Sequence, residues 1–250
     1  MKIKILYEDK DILAIDKPSG ILVHPDQKSE EETILDIFKK KYPKLEIVHR
    51  LDKETSGVML LAKNDKAHEF LKKQFQNREI KKIYHAFVSG SLKNNHGIIN
   101  KPIGRSPVDF RRRLAGRGAR GELREAITEY KVLKRFSAKA YQNFYPRGSH
   151  FEPEAPKEGR RGKNFDMPKQ IPFTYLEVRP KTGRTHQIRV HMKFLNHPII
   201  CDSLYNPKGL YPKGFFRLAL HAKFIEFKNL KGEIVKVESK LPKEFEKMIK

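Results

Sequence analysis

His49-Arg50-Leu51-Asp52-Lys53-Glu54-Thr55-Ser56-Gly57-Val58-Met59-Leu60-Leu61-Ala62-Lys63 places an acid, a Thr-Ser-Gly turn and a continuous apolar run in direct succession. An apolar run of strand length with no polar alternation reads as a strand buried on both faces. Loops held by such strands are where reactive groups tend to sit. Downstream, Asn64-Asp65 reads as a helix start, and Ala67, Phe70, Leu71 and Phe75 repeat at three- and four-residue spacing. Upstream, Ile3–Tyr7 and Ile12–Ile15 read as strands separated by Glu8-Asp9-Lys10-Asp11, and Pro18-Ser19-Gly20 breaks the second. Thr33 is a cap for a helix carrying Ile34, Leu35, Ile37 and Phe38, with Asp36 at its third position.

Further strands are expected at Ile83–Ser89, Ile127–Leu133, Tyr175–Arg179, Leu218–His221, Phe224–Phe227 and Ile234–Glu238. A helix is expected from Thr185 through Ile188, Val190, Met192 and Leu195 towards Pro198. Many strands with few helices indicate an α+β fold with a mixed, mostly antiparallel sheet, here read as one domain over residues 1–250.

Two stretches stand apart. Residues 101–124 hold eight Lys or Arg against two acids, including Arg111-Arg112-Arg113, and read as a flexible basic loop that binds phosphates. Residues 141–172 contain five Pro and three Gly, a composition that cannot sustain a strand or a long helix, and read as an insertion between two strands.

Composition narrows the function. With 38% hydrophobic residues the 250-residue chain has ample material for a core. The net charge of +23, from 53 Lys and Arg against 30 Asp and Glu, favours a polyanionic partner, with nucleic acid first. The first residues lack the apolar run of a signal peptide, and no segment approaches a membrane span. Cys201 is the single cysteine, which excludes an internal disulfide or a cysteine-rich zinc site. Beside Ile199 and Ile200 it reads as a small buried residue in a cytoplasmic protein.

Asp52 is the candidate reactive acid, although an ordinary surface ion pair with Arg50 or Lys53 also fits the local sequence. Near Thr185, free helix N–H groups and Arg184 suit a phosphate, and Arg189, a turn further on, can point inward to pair with a carboxylate. His186 and His191 are five apart, off one helical face and without a third ligand, so no metal is expected. Tyr84, in Lys82-Ile83-Tyr84-His85-Ala86, suits core packing or stacking on an extruded base.

Together these segments resemble the RluA-type family of RNA pseudouridine synthases. The resemblance runs in order through Tyr7-Glu8-Asp9, Ile15–Gly20, Val23-His24-Pro25, His49–Asp52 with Thr55-Ser56-Gly57, and Lys82 with Tyr84. It continues through Ala126–Leu133, Gly183-Arg184-Thr185-His186-Gln187-Ile188-Arg189-Val190-His191 and Leu220-His221-Ala222. It implies a pseudouridine-synthase-like fold around a central cleft. It also implies Asp52 as the essential aspartate, Tyr84 as the base-stacking tyrosine, Arg189 as the partner of Asp52 and Leu220 as an apolar wall. Arg50 and Arg184 are phosphate or structural contacts in this comparison.

The implied reaction breaks the C1′–N1 bond of uridine, turns the uracil and joins C5 to C1′. It changes no oxidation state, so no cofactor is expected. A carboxylate can stabilise charge at C1′, attack there, or abstract the 2′-proton, and the sequence leaves all three open. The expected partner is ribosomal or transfer RNA, engaged by a monomer. The family pattern starts within ten residues of Met1, which leaves no room for an N-terminal S4-like domain. Residues 141–172 also exceed the usual connection of the family. The rival reading is a catalytically silent RNA-binding protein on the same fold, against which Asp52, Tyr84 and Arg189 argue.

Overall fold

The computed structural model describes residues 3–25, 31–142, 169–212 and 214–250. Strands β1 (Lys4–Glu8) and β2 (Ile12–Lys17) form an antiparallel hairpin. Asp9 shapes its turn by accepting the N–H groups of Asp11 and Ile12 at 2.8 and 2.6 Å. Helix α1 (Ile34–Lys39) begins with the reciprocal cap expected of Thr33 and Asp36, each side chain accepting the other residue's N–H.

The short strand β3 (Glu46–Ile47) leads to β4 (Ser56–Ala62), buried along its whole length. Met59 and Leu61 pack with Ile34 and Phe38 on one side. Val58, Leu60 and Ala62 pack on the other, against Ala67 and Leu71 of helix α2 (Asp65–Gln76). Two covered faces are the reason for the unbroken apolar run.

Strand β5 (Lys81–Ser89) and strand β6 (His96–Asn100) follow. Residues 101–124 are not a simple loop: β7 (Ile103–Arg105), β8 (Arg113–Ala115) and β9 (Arg120–Arg124) form their own antiparallel sheet in the order β8-β7-β9. Ile103 roots this arm in a cluster with Ala126, Val190 and Tyr205. Backbone pairing thus organises a segment whose side chains suggest none.

Strands β10 (Ile127–Gln142) and β11 (Lys169–Pro180) pair along most of their length. Both ends of the 141–172 stretch are therefore strand, contrary to its composition. In-register pairing such as Ala138 with Ile171 carries the ladder that far. Residues 143–168 lie outside the described residues.

Helix α3 (Gln187–Phe194), β12 (Leu210–Pro212), β13 (Leu220–Lys228), β14 (Ile234–Glu238) and helix α4 (Lys243–Ile249) complete the chain. Leu218–His221 and Phe224–Phe227 were expected as two strands. From Leu220 on they merge into β13, with Leu218 and Ala219 left outside it, and its register on β5 shifts between Ala222 and Phe224. The main sheet has eleven strands, with β1-β2-β4-β13-β5-β11-β10-β12 as its path and β3, β6 and β14 at its sides. Its pairs are antiparallel except β4 with β13. This is the mixed, mostly antiparallel α+β architecture expected.

The parallel pair places the Asp52 loop against β13. Gly57 makes it possible: its φ is +111°, and a Cβ there would lie 2.2 Å from the Ala222 carbonyl oxygen. No other residue allows that approach.

Candidate active site

The Asp52 loop is fixed through its backbone. Lys17, fully buried, donates from Nζ to the carbonyls of Pro18 (3.0 Å), Asp52 (3.3 Å), Lys53 (2.9 Å) and Thr55 (2.9 Å). Gly20 N–H donates to Lys53 O at 2.8 Å and Ser19 Oγ to Glu54 O at 2.6 Å. The carbonyls of residues 52–55 are thus all satisfied, all four by groups from the Lys17–Gly20 turn, and this pins the backbone under Asp52. Burial pushes the Lys17 ammonium down to about 7, against the opposing charge of Asp52.

Across the cleft, α3 presents Arg189, which is 3% exposed. Its Nε and Nη2 donate to Asp202 at 2.8 Å each, a bidentate pair, and Asp202 is fully buried. Arg189 Nη1 reaches Asp52 Oδ2 at 3.3 Å, and Nη2 reaches Glu54 Oε2 at 3.3 Å. Burial alone would weaken the guanidinium's hold on its proton. The Asp202 bonds and the charges of Asp202, Asp52 and Glu54 outweigh that. Burial raises the Glu54 carboxyl above its usual range, with Asp202 and Asp52 adding to the effect. Asp52 itself keeps 19% of its side chain exposed, open to the cleft.

The cleft has a volume of about 560 Å³. Tyr84 and Leu220 lie side by side on neighbouring strands, with Leu220 paired to Ala86 and Ala222 to Tyr84. Burial holds the Tyr84 phenol neutral, with the Asp52 charge reinforcing it. Phe75 packs against His49 with the rings tilted by 32° and their centroids 4.6 Å apart. His49 Nε2 accepts the Leu60 N–H at 2.9 Å, so the ring is neutral, and burial lowers it to about 3. Lys82, lowered by burial to about 8, stands over Phe75. Arg78 and Arg184 converge on Glu125, the first on its carboxylate and the second, from Nε, on its carbonyl at 3.0 Å. Among the described residues lining the cleft, Asp52 is the one carboxylate, facing Arg50, Arg78, Lys82, Lys181, Arg184 and Arg189.

All six residues singled out from the sequence, Asp52, Tyr84, Arg189, Leu220, Arg50 and Arg184, line this cleft. The local ion pair is not formed: Lys53 pairs with Glu31 at 2.6 Å, and no ion pair joins Arg50 to Asp52. Helix α3 starts two residues later than expected, because His186 adopts a left-handed conformation (φ 56°). The Arg184 N–H bonds Gln187 Oε1 at 3.0 Å, so it is not the free phosphate donor anticipated. Arg189 does meet Asp52, yet its closer partner is Asp202, which sequence reasoning missed. The signal was an acid directly after the apolar run Ile199-Ile200-Cys201, where burial demands a cation. Lys17, Glu54, His49 and Lys82 were also missed as parts of the site. No group of three or more His, Cys, Asp or Glu side chains forms a metal site among the described residues. No helix there is long and apolar enough to cross a membrane.

Comparison with known proteins places this geometry. Residues 11–194 match the family model described as RNA pseudouridylate synthase. A protein of Pseudomonas aeruginosa named ribosomal large subunit pseudouridine synthase D is 34% identical over 263 residues, covering 98% of this chain and 70% of the relative. An Aquifex aeolicus protein named as an uncharacterized RNA pseudouridine synthase is 37% identical, covering 83% of this chain and 57% of its own length. Human RNA Pseudouridylate Synthase Domain Containing 1 superposes with a TM-score of 0.70 at 22% identity, over 96% of this chain and 84% of that one, a likeness of fold. The chain spans between about half and three quarters of the length of these curated relatives. With the family model covering well over half of it and such relatives along nearly its whole length, the chain belongs to the RNA pseudouridylate synthases of the RluA type, enzymes that isomerise uridine to pseudouridine.

Proposed function

We propose that this pseudouridine synthase uses Asp52 as its catalytic carboxylate and acts on uridines of large-subunit ribosomal RNA. The observation that carries the reading is the single carboxylate lining a cationic cleft with an aromatic and aliphatic floor. Cations on the rim suit the backbone of an RNA strand, and Tyr84 suits the face of an extruded uracil. Extrusion costs roughly a few kcal/mol, which stacking and phosphate contacts offset.

With uracil on Tyr84 and against Leu220, Asp52 faces the sugar from its fixed loop. Arg189 holds one carboxylate oxygen, leaving the other free for C1′ or the 2′-hydrogen. The C1′–N1 bond breaks, the uracil turns within the cleft, C5 bonds to C1′, the C5 proton is released, and N1 takes up a proton, so that the product is an isomer of the substrate. Atoms and electrons balance without an added reagent, so the reaction itself calls for no cofactor. Arg50 and Arg184 flank the cleft as phosphate contacts, and the basic sheet β7–β9 extends the same surface. We further propose that residues 1–250 act as one catalytic domain, as a monomer in the cytoplasm.

The ribosomal substrate rests on the printed names of relatives such as the Pseudomonas aeruginosa protein. The test supplies purified protein with ribosomal or transfer RNA, tritiated at uridine C5 and taken from cells lacking the gene. Release from large-subunit ribosomal RNA is expected. Release from transfer RNA alone would move the substrate, and binding to both without release would favour the silent binder.

A further inference from the structure

His186 is the one described residue at the entry to α3 whose backbone is left-handed, and its ring lies between two functional elements. Its Nε2 is 4.0 Å from Asp52 Oδ1, and its Nδ1 is 3.0 Å from Tyr205 Oη. Tyr205 Oη in turn accepts the Arg113 N–H of β8 at 2.9 Å. Tyr205 is buried, and its ring meets that of His186 edge-on, with centroids 5.7 Å apart. Burial lowers the His186 imidazole, so it is neutral near pH 7 and holds a single ring proton.

We propose that Tyr205 is a positioning residue that fixes His186 in the Nε2–H form, aiming that N–H at the Asp52 carboxylate and the sugar it serves. The hydrogen-bond inventory carries the inference. Tyr205 Oη already accepts from Arg113, and the remaining polar neighbour for its own proton is His186 Nδ1. If Nδ1 carried the proton instead, Tyr205 would receive two donors and leave its own hydrogen buried without an acceptor. The same tautomer would turn the Nε2 lone pair towards an anionic oxygen, a repulsive arrangement. Both conflicts vanish when the proton sits on Nε2. The line from β8 through Tyr205 to His186 also ties the basic sheet to the reacting carboxylate, since Val190 of α3 and Tyr205 share the cluster that roots that sheet.

The assignment of Tyr205 deepens the reading of Asp52 as the catalytic group, but the tautomer can be tested without activity. Nitrogen-15 spectra of histidine-labelled protein, with the His186 signals identified by their loss in His186→Asn, should show Nε2 protonated and Nδ1 bare. Asparagine suits the replacement because it tolerates a left-handed backbone. Tyr205→Phe should mix the two forms. In steady state, Tyr205→Phe and His186→Asn should each lower kcat about ten-fold, the effect of one directed hydrogen bond, with KM for RNA nearly unchanged. Because Tyr205 acts through His186, the double variant should fall no further than His186→Asn alone. A wild-type spectrum with the proton on Nδ1 would overturn the proposal, and so would additive losses in the double variant. Asp52→Asn retaining activity would instead remove the catalytic reading while leaving the tautomer as measured.

Discussion

Replacing Asp202 by alanine leaves the Arg189 guanidinium buried without its closest partner. Two hydrogen bonds of 2.8 Å are lost, in a place where Asp202 is fully buried and Arg189 is 3% exposed. At an effective dielectric of about 20, unit charges at that distance attract by about 6 kcal/mol before desolvation is counted. Breaking such a buried pair from one side typically costs about 3–5 kcal/mol. Asp52 and Glu54, each 3.3 Å from Arg189, take up part of the charge, which puts the expected loss near the lower end. The N–H groups of Leu204 and Tyr205, which Asp202 accepts at 3.0 and 2.9 Å, lose their partner as well. Arg189 should then bind Asp52 more closely and occupy its free oxygen, so turnover falls along with stability. Urea unfolding gives the first quantity and tritium release the second. The paired replacement Arg189→Met with Asp202→Leu should recover part of the stability, because the buried guanidinium is gone, although Asp52 and Glu54 lose their cation and the Leu204 and Tyr205 N–H groups stay unpaired, and it should stay inactive. A loss below about 1 kcal/mol in Asp202→Ala would refute the reasoning.

Gly57→Ala combines a positive φ, a strain of about 1–3 kcal/mol, with a 2.2 Å approach to the Ala222 carbonyl. It should lower the urea midpoint strongly or prevent folding, and a midpoint equal to wild type would contradict the role given to that glycine. Burial lowers His49, His85 and His221 from an ordinary 6.5 to about 3, 4 and 3. The unfolded chain therefore binds more protons between those values and pH 6.5. Stability from these groups is complete above pH 6.5 and lost as the pH falls, at up to about 1.4 kcal/mol per pH unit for each. Unfolding midpoints between pH 7 and 4 should show that slope, and a flat profile would contradict it. On the basic arm, Arg117, in the turn before β9, and Arg120, at the start of β9, are both exposed, and no ion pair holds either among the described residues. Replacing either by alanine should weaken RNA binding and flatten the salt dependence by roughly one unit of slope, whereas an unchanged slope would remove that sheet from the RNA surface.

Much of the frame was legible because burial writes itself into period and run. The apolar stretch of β4, the spacing in α2 and the Thr33 and Asp36 cap all have local causes. The basic sheet was not legible, since β9 is exposed at every position and so carries no alternation. The bulge in β13 hid the continuity of that strand, and nothing in local sequence signals a histidine with φ of 56° before α3. Within the site, the motif segments gave Asp52, Tyr84, Arg189, Leu220, Arg50 and Arg184 as residues of one cleft. The buried charges that support them were hidden because their partners are distant in sequence. Lys17 lies 35 positions from Asp52, and Asp52 lies 137 from Arg189. Only the fold shows which carbonyls a buried ammonium serves and which of three carboxylates a buried guanidinium prefers.

Asp52→Asn tests the central claim most directly, because it keeps the shape of the side chain and leaves the loop held by Lys17 through its carbonyls. Purified variant and wild type are compared for tritium release from uridine labelled at C5 and for RNA binding at one salt concentration. The account predicts that release is abolished while binding persists within a few-fold. Release at the wild-type rate from Asp52→Asn would contradict it.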